Sequence, residues 1–193
     1  MPATTCRGVS AAGLIVPPFV LEPLRVGRIL IPAVWTGRPG TLVHLFQNPP
    51  PEIVITGRLA VAVLPRPMVF PLNLTPFDRA DRWLARRVGR SVRDLGTAWQ
   101  VGELGRRRVG QLALNDLMLL GFAAACHSRA DVILADLLNA SPMTLGVLCE
   151  YLRASPRDKT VVLLCRASNP PPSLTCDVDT CAGFDDITCG VAK

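Results

Sequence analysis

The sequence predicts an α/β fold: a three-layer-like, partly parallel sheet with flanking helices, preceded by a β-rich amino-terminal segment. Three observations predict it. Val132–Ala135 is an apolar, strand-like run ending in Asp136; a helix-like segment follows, and Val161–Cys165 is a second apolar run. Two buried strands joined by a helix pair side by side only as a right-handed parallel βαβ unit. Residues 1–70 are rich in proline, glycine and β-branched residues, which mark short strands separated by turns. The chain of 193 residues, 49 % of them hydrophobic, is long enough for one domain with a proper core.

In chain order, Val26–Val34, Thr41–Phe46, Ile53–Ile55 and Arg58–Leu64 read as short strands. Pro49–Pro51 and Pro65, Pro67 and Pro71 are stiff breaks between them. Thr75 followed by Pro76 is a helix start, a capping hydroxyl and then the first-turn proline, for an amphipathic helix over 75–95. Its inner face would be Phe77, Trp83, Leu84 and Val88, and its outer face basic. A second helix is expected from Arg106 to about Cys126. Arg106, Arg107 and Arg108 at its amino end would oppose the helix dipole, a misfit that makes more sense near an anion or acidic partner. A strand at 131–136, a helix at 142–154 with Ser141 as cap and Pro142 in its first turn, and a strand at 160–165 complete the fold. Residues 1–166 therefore read as one α/β domain, with a β-rich part at 1–70 and a helical and βαβ part at 75–166. Residues 167–193 read as a proline- and cysteine-containing tail.

The formal charge is +6, and arginine supplies it almost alone, since Lys159 and Lys193 are the only lysines. Arg86, Arg87, Arg90, Arg93 and Arg106–Arg108 are candidate contacts to phosphate; as an alternative they are a solvated face. Few aromatic residues lie near them, so a stacking platform for single strands is not indicated. The mean hydropathy is +0.33. No apolar run approaches the roughly 18 residues that cross a bilayer; the longest, Leu117–Cys126, reads as a buried helix. The apolar start is interrupted by Pro17, Pro18 and Pro23, which argues against a signal peptide. A cytoplasmic protein is expected, one able to sit against a membrane or a hydrophobic partner.

Of seven cysteines, Cys126, Cys149 and Cys165 lie in apolar segments and read as small core residues. Cys176, Cys181 and Cys189 could form a tail disulfide or remain thiols, and no pair has the C-x-x-C spacing of a zinc site. His44 and His127 are the only histidines, without paired metal-ligand spacing, and no HExxH or G-x-S-x-G string is present. Trp35, Trp83 and Trp99 read as packing or interface residues, and Asp185–Asp186 as a solvated pair.

Three stretches resemble the ATP-binding cassettes (ABC ATPases) of energy-coupling-factor and cobalt-type importers. Leu42–Pro49, LVHLFQNP, is similar to the Q-loop region, and Gln47 matches the glutamine that reaches the metal and touches the transporter. Gly102–Leu114, GELGRRRVGQLAL, looks like a shortened signature motif and the helix it opens. Asp131–Cys165 looks like the Walker B strand, D-loop region, helix and switch strand, with Asp136 as the Walker B aspartate. The departures matter as much. Residues 1–40 hold no Gly-rich phosphate loop with Lys and Ser/Thr. The position of the catalytic glutamate is Leu137, which cannot accept a proton, and that of the switch histidine is Arg166. The signature Ser-Gly-Gly is reduced to Gly105 and three arginines.

The resemblance implies a degenerate, catalytically inactive cassette. It would need no cofactor, ATP and Mg2+ being expected not to bind, and would act by binding a transporter subunit, an active cassette or a second copy. Two alternatives stand beside it: an arginine-rich nucleic-acid or polyanion binder, and a metal-assisted phosphohydrolase using Asp136.

Overall fold

A computed structural model describes residues 3–11, 13–37, 40–62, 79–88, 104–154, 158–169 and 176–184. The chain divides into two compact units. One is Met1–Val61 with Ala130–Asn139 and Arg157–Lys193; the other is Ala62–Arg129 with Ala140–Pro156.

The first unit is built on strands. Seven short ones come first: β1 (Thr4–Cys6), β2 (Val9–Ala11), β3 (Leu14–Val16), β4 (Phe19–Leu21), β5 (Val26–Ile31), β6 (Ile53–Ile55) and β7 (Leu59–Ala62). Later come β8 (Val132–Asp136), β9 (Thr160–Arg166), β10 (Val178–Cys181) and β11 (Gly183–Phe184). The five-stranded sheet has the order β10-β5-β9-β8-β7, and β10, β5, β9 and β8 run parallel. All five residues of β8 and the first six of β9 are buried. A strand covered on both faces has no polar alternation to show, which is why these segments are continuous Val/Ile/Leu runs. As the sequence predicts, β8 and β9 pair in parallel. Two small antiparallel sheets, β4-β1-β6 and β11-β3-β2, accompany them.

Three sequence expectations are corrected in this unit. Thr41–Phe46 is not a strand: α1 (Thr41–Gln47) is a helix, and its buried residues Leu42, Val43 and Phe46 follow the helical period rather than alternation. Gly40, at φ 86°, makes the left-handed turn into it, a conformation that glycine adopts without a Cβ penalty. The strand expected at Val26–Val34 stops at Ile31, since Pro32 has no N–H to continue the ladder. The segment read as a tail instead supplies β10, the edge of the main sheet. Asp177 accepts the Val26 N–H at 2.8 Å, and Asp179 takes a two-pronged ion pair from Arg28, both bonds 2.7 Å. Cys176 and Cys181 are not joined to each other by a disulfide. They stand at the two ends of an extended segment whose rise of about 3.3 Å per residue keeps their Cα atoms beyond disulfide reach. Cys189 lies outside the described residues.

The second unit is helical: α2 (Ala80–Val88), α3 (Leu114–Cys126) and α4 (Pro142–Ala154). The helix expected over 75–95 is described only as α2. α4 begins where the sequence placed it, with the Ser141 hydroxyl accepting the Thr144 N–H at 3.2 Å. The single helix expected over 106–126 is corrected. Two 3-10 turns, Leu104–Arg106 and Val109–Gln111, precede α3, so Arg106–Arg108 do not stand at its amino end. Gly105 and Gly110 weaken a continuous helix there, and Asp116, reaching the Ala113 N–H at 3.4 Å, supplies the start at Leu114. The Tyr151 hydroxyl on α4 meets His127 Nε2 at 2.7 Å, and its ring packs edge-on against Phe122.

Candidate functional site

Parallel sheets bind ligands beyond the carboxyl ends of their strands. Here β5, β9 and β8 deliver Ile31, Arg166 and Asp136 to that edge, with Ile31 opposite Arg166 and Asp136 opposite Leu164. Asp136 is 8 % exposed. Its Oδ1 accepts the Leu138 N–H at 3.1 Å, a local turn that satisfies one oxygen. Burial pushes its carboxyl above the ordinary value of 3.8, against the smaller opposing effects of the Leu138 N–H and the Arg166 charge. Leu137 and Leu138, which follow, are buried, so neither neighbour offers an acid or base.

After β5 the chain turns, Trp35 N–H donating to Pro32 O at 3.1 Å, and the Trp35 side chain is 4 % exposed. Gly37 is required beside it, since a Cβ there would sit 1.9 Å from the indole ring. Arg166 reaches this turn from β9. Its Nη1 donates to Trp35 O at 2.7 Å and to Pro32 O at 3.3 Å, and its guanidinium carbon lies 5.9 Å from the Trp35 ring centroid. The guanidinium thus binds backbone carbonyls of the loop that follows β5. Among the described residues, no group of three or more His, Cys, Asp or Glu is placed to hold a metal ion. A separate cavity of about 500 Å3 in this unit has His44, Asn48 and Glu52 in its lining, with Asn48 Nδ2 3.1 Å from His44 Nδ1.

No protein-family model and no curated protein matches the chain. Solved structures do. The chain is similar to an ABC transporter ATP-binding protein of Pyrococcus furiosus, with a TM-score of 0.66 and 16 % identity over 92 % of this chain and 96 % of that one. It is similar to cbiO1 of Clostridium perfringens, described as part of the ABC transporter complex cbiONQ, with a TM-score of 0.59 and 13 % identity over 95 % and 87 %. A metal-chelate type ABC transporter in an inward-facing conformation gives 0.55 and 15 % over 85 % and 73 %. The fold is that of an ATP-binding cassette.

β5 is followed in sequence by residues 32–40 and then by the helix α1, the strand-then-helix order in which a phosphate-binding string would stand. The sequence there, PAVWTGRPG followed by Thr41, keeps two glycines and a threonine but no GxxxxGK[ST] string and no lysine. The signal was present in the sequence as Gly37-x-x-Gly40-Thr41 ahead of an apolar segment, and reading that segment as a strand hid it. The same misreading misplaces Gln47. It is an exposed residue closing a helix, without the strand-end position on which its likeness to the Q-loop rested.

The arginines named from sequence belong to the second unit. Arg86 is exposed on α2, and Arg106, Arg107 and Arg108 are exposed around the 3-10 turns. The Arg87 side chain and residues Arg90 and Arg93 lie outside the described residues, as do Trp99 and Asp185–Asp186. Sequence reasoning gave no role to Arg79, which the structure pairs with Arg108 in an antiparallel bridge. Among the described residues no helix is long and apolar enough to cross a membrane.

Proposed function

We propose that this chain is a cassette-derived protein that does not turn over nucleotide and acts by binding another protein: a transporter subunit, an active cassette or a second copy of itself. The carrying observation is Arg166 on Trp35. A phosphate loop works by offering backbone N–H groups and a lysine to phosphate. Here the stretch after β5 has no lysine, its Trp35 indole is buried, and the Pro32 and Trp35 carbonyls are taken by a cation from the neighbouring strand. The donor set does not fit Mg–ATP. Asp136 is a single carboxylate whose burial raises its pKa, and Leu137 cannot polarise water. The same neighbours argue against a metal-assisted phosphohydrolase, which needs a second polar group beside Asp136. The reading places the protein in the cytoplasm, at the membrane when its partner is a transporter subunit.

The test is binding of a fluorescent ATP analogue with and without magnesium at low salt, alongside phosphate release. The expected outcome is no magnesium-dependent saturation and no turnover. Hydrolysis that disappears in Asp136→Asn would overturn the proposal.

A further inference from the structure

The second unit carries an arginine face. In α2, Ala80 and Leu84 are fully buried, and with 100° per residue Arg82 and Arg86 project from the opposite side. Immediately before the helix, Arg79 forms its bridge with Arg108, and the Ala80 N–H donates to Arg107 O at 3.0 Å. These two contacts lay the run Arg106–Arg108 against the start of α2. Exposed Arg79, Arg106, Arg107 and Arg108 are thereby gathered at the start of α2, which itself carries exposed Arg82 and Arg86, six exposed arginines in this part of the unit. Asp81 is the one acidic side chain in α2.

We infer that this face binds the phosphate backbone of double-stranded nucleic acid without reading its sequence. Guanidinium groups suit phosphate, being permanently charged and able to donate in pairs. What surrounds them decides among polyanions. A protein partner is held by an apolar or aromatic centre inside a polar rim. A membrane surface takes exposed apolar side chains next to the basic ones. Among the residues of this unit whose side chains are described, Met143 on α4 is the one large hydrophobic side chain that is exposed. Single strands require a row of exposed aromatics, and Trp83, the aromatic residue of α2, is not exposed. Arginines alone match a regular array of phosphates. The inference stands apart from the proposed loss of nucleotide turnover and survives if that proposal fails.

The experiment is fluorescence anisotropy of a labelled 20-base-pair DNA duplex against the full chain across a salt series, with polyglutamate and phosphatidylserine vesicles as competing probes. Six phosphate contacts predict a slope of log K against log salt of about −5, or about a 10³-fold loss of affinity between 50 and 200 mM. Replacing four arginines together (Arg82→Gln, Arg86→Gln, Arg106→Gln, Arg107→Gln) should flatten the slope to about −2, while Arg7→Gln in the other unit leaves it unchanged. Should the fourfold variant not fold, the slope of the unaltered protein and its order of preference among the three probes still decide. No duplex binding at 50 mM salt, tighter binding to polyglutamate or vesicles, or an unaltered slope in the folded variant each overturns the inference.

Discussion

Arg166 at the end of β9 and the arginines around α2 are the same residue type put to opposite uses. Arg166 is half-buried, and its guanidinium is committed to two carbonyls and an indole within its own unit. Arg82, Arg106, Arg107 and Arg108 are exposed to solvent. The difference teaches where to look for activity in a fold whose usual site lies at the strand ends. There, polar groups are consumed in holding the molecule together; on the helical unit, charge faces outward. Substitutions at the first region should be felt as stability, and substitutions at the second as binding.

The largest effect is expected for Trp35→Ala. Removing a buried indole costs about 3–5 kcal/mol, and thermal denaturation should show a fall in Tm on the order of 10 °C. Next comes Arg166→Ala, which leaves the Trp35 and Pro32 carbonyls without their charged donor and should cost about 2–3 kcal/mol in urea unfolding. Arg166→Lys should recover less than half, because an ammonium lacks the planar fork. A loss below about 0.5 kcal/mol in Arg166→Ala would mean that the contact with the loop holds nothing in place.

A smaller effect, of opposite sign, belongs to Asp136. Its folded carboxyl titrates above the unfolded value of 3.8, so the folded state binds its proton more tightly than the unfolded chain does. That contribution to stability is present below about pH 3.8 and is lost as pH rises through the folded value. Asp136→Asn keeps the acceptor for the Leu138 N–H without the charge. It should raise Tm at pH 7, and the gain should vanish below pH 4. A Tm difference independent of pH would remove burial of the charge as its cause. The smallest effect on stability is expected on the arginine face, where Arg106→Gln or Arg107→Gln should stay within about 0.5 kcal/mol.

Legibility followed local chemistry. β8 and β9 were readable because strands buried on both faces are unbroken apolar runs, and α4 because Ser141 and Pro142 mark its first turn. Asp136 was found because it ends such a run. α1 was misread since Leu42, Val43, Leu45 and Phe46 form a short apolar cluster in which helix and strand look alike. The strands β1–β4 are three residues each, too short for alternation to show; β2 and β3 pair locally, while β1 depends on distant partners, as with Thr4 opposite Ile55. Pro17 and Pro18 suggested only an interruption, when they join β3 to β4. The hold of Arg166 on Trp35 spans 131 positions and leaves no trace in local pattern. The Arg79–Arg108 bridge is of the same kind.

The first parallel strand to be made, β5, has a consequence for biosynthesis. β5 ends at Ile31, yet both of its neighbours, β9 and β10, are encoded at Thr160–Arg166 and Val178–Cys181. At about 5–20 residues per second, a ribosome makes the intervening stretch in roughly 8–30 s. Until β9 emerges both hydrogen-bonding edges of VGRILI are bare, and the edge that takes β10 stays bare to the end of the interval, an apolar template open to any other strand in reach. The emerging chain therefore needs shelter for its earliest parallel strand until nearly all the described residues have been translated, and the sheet is completed last at its β10 edge.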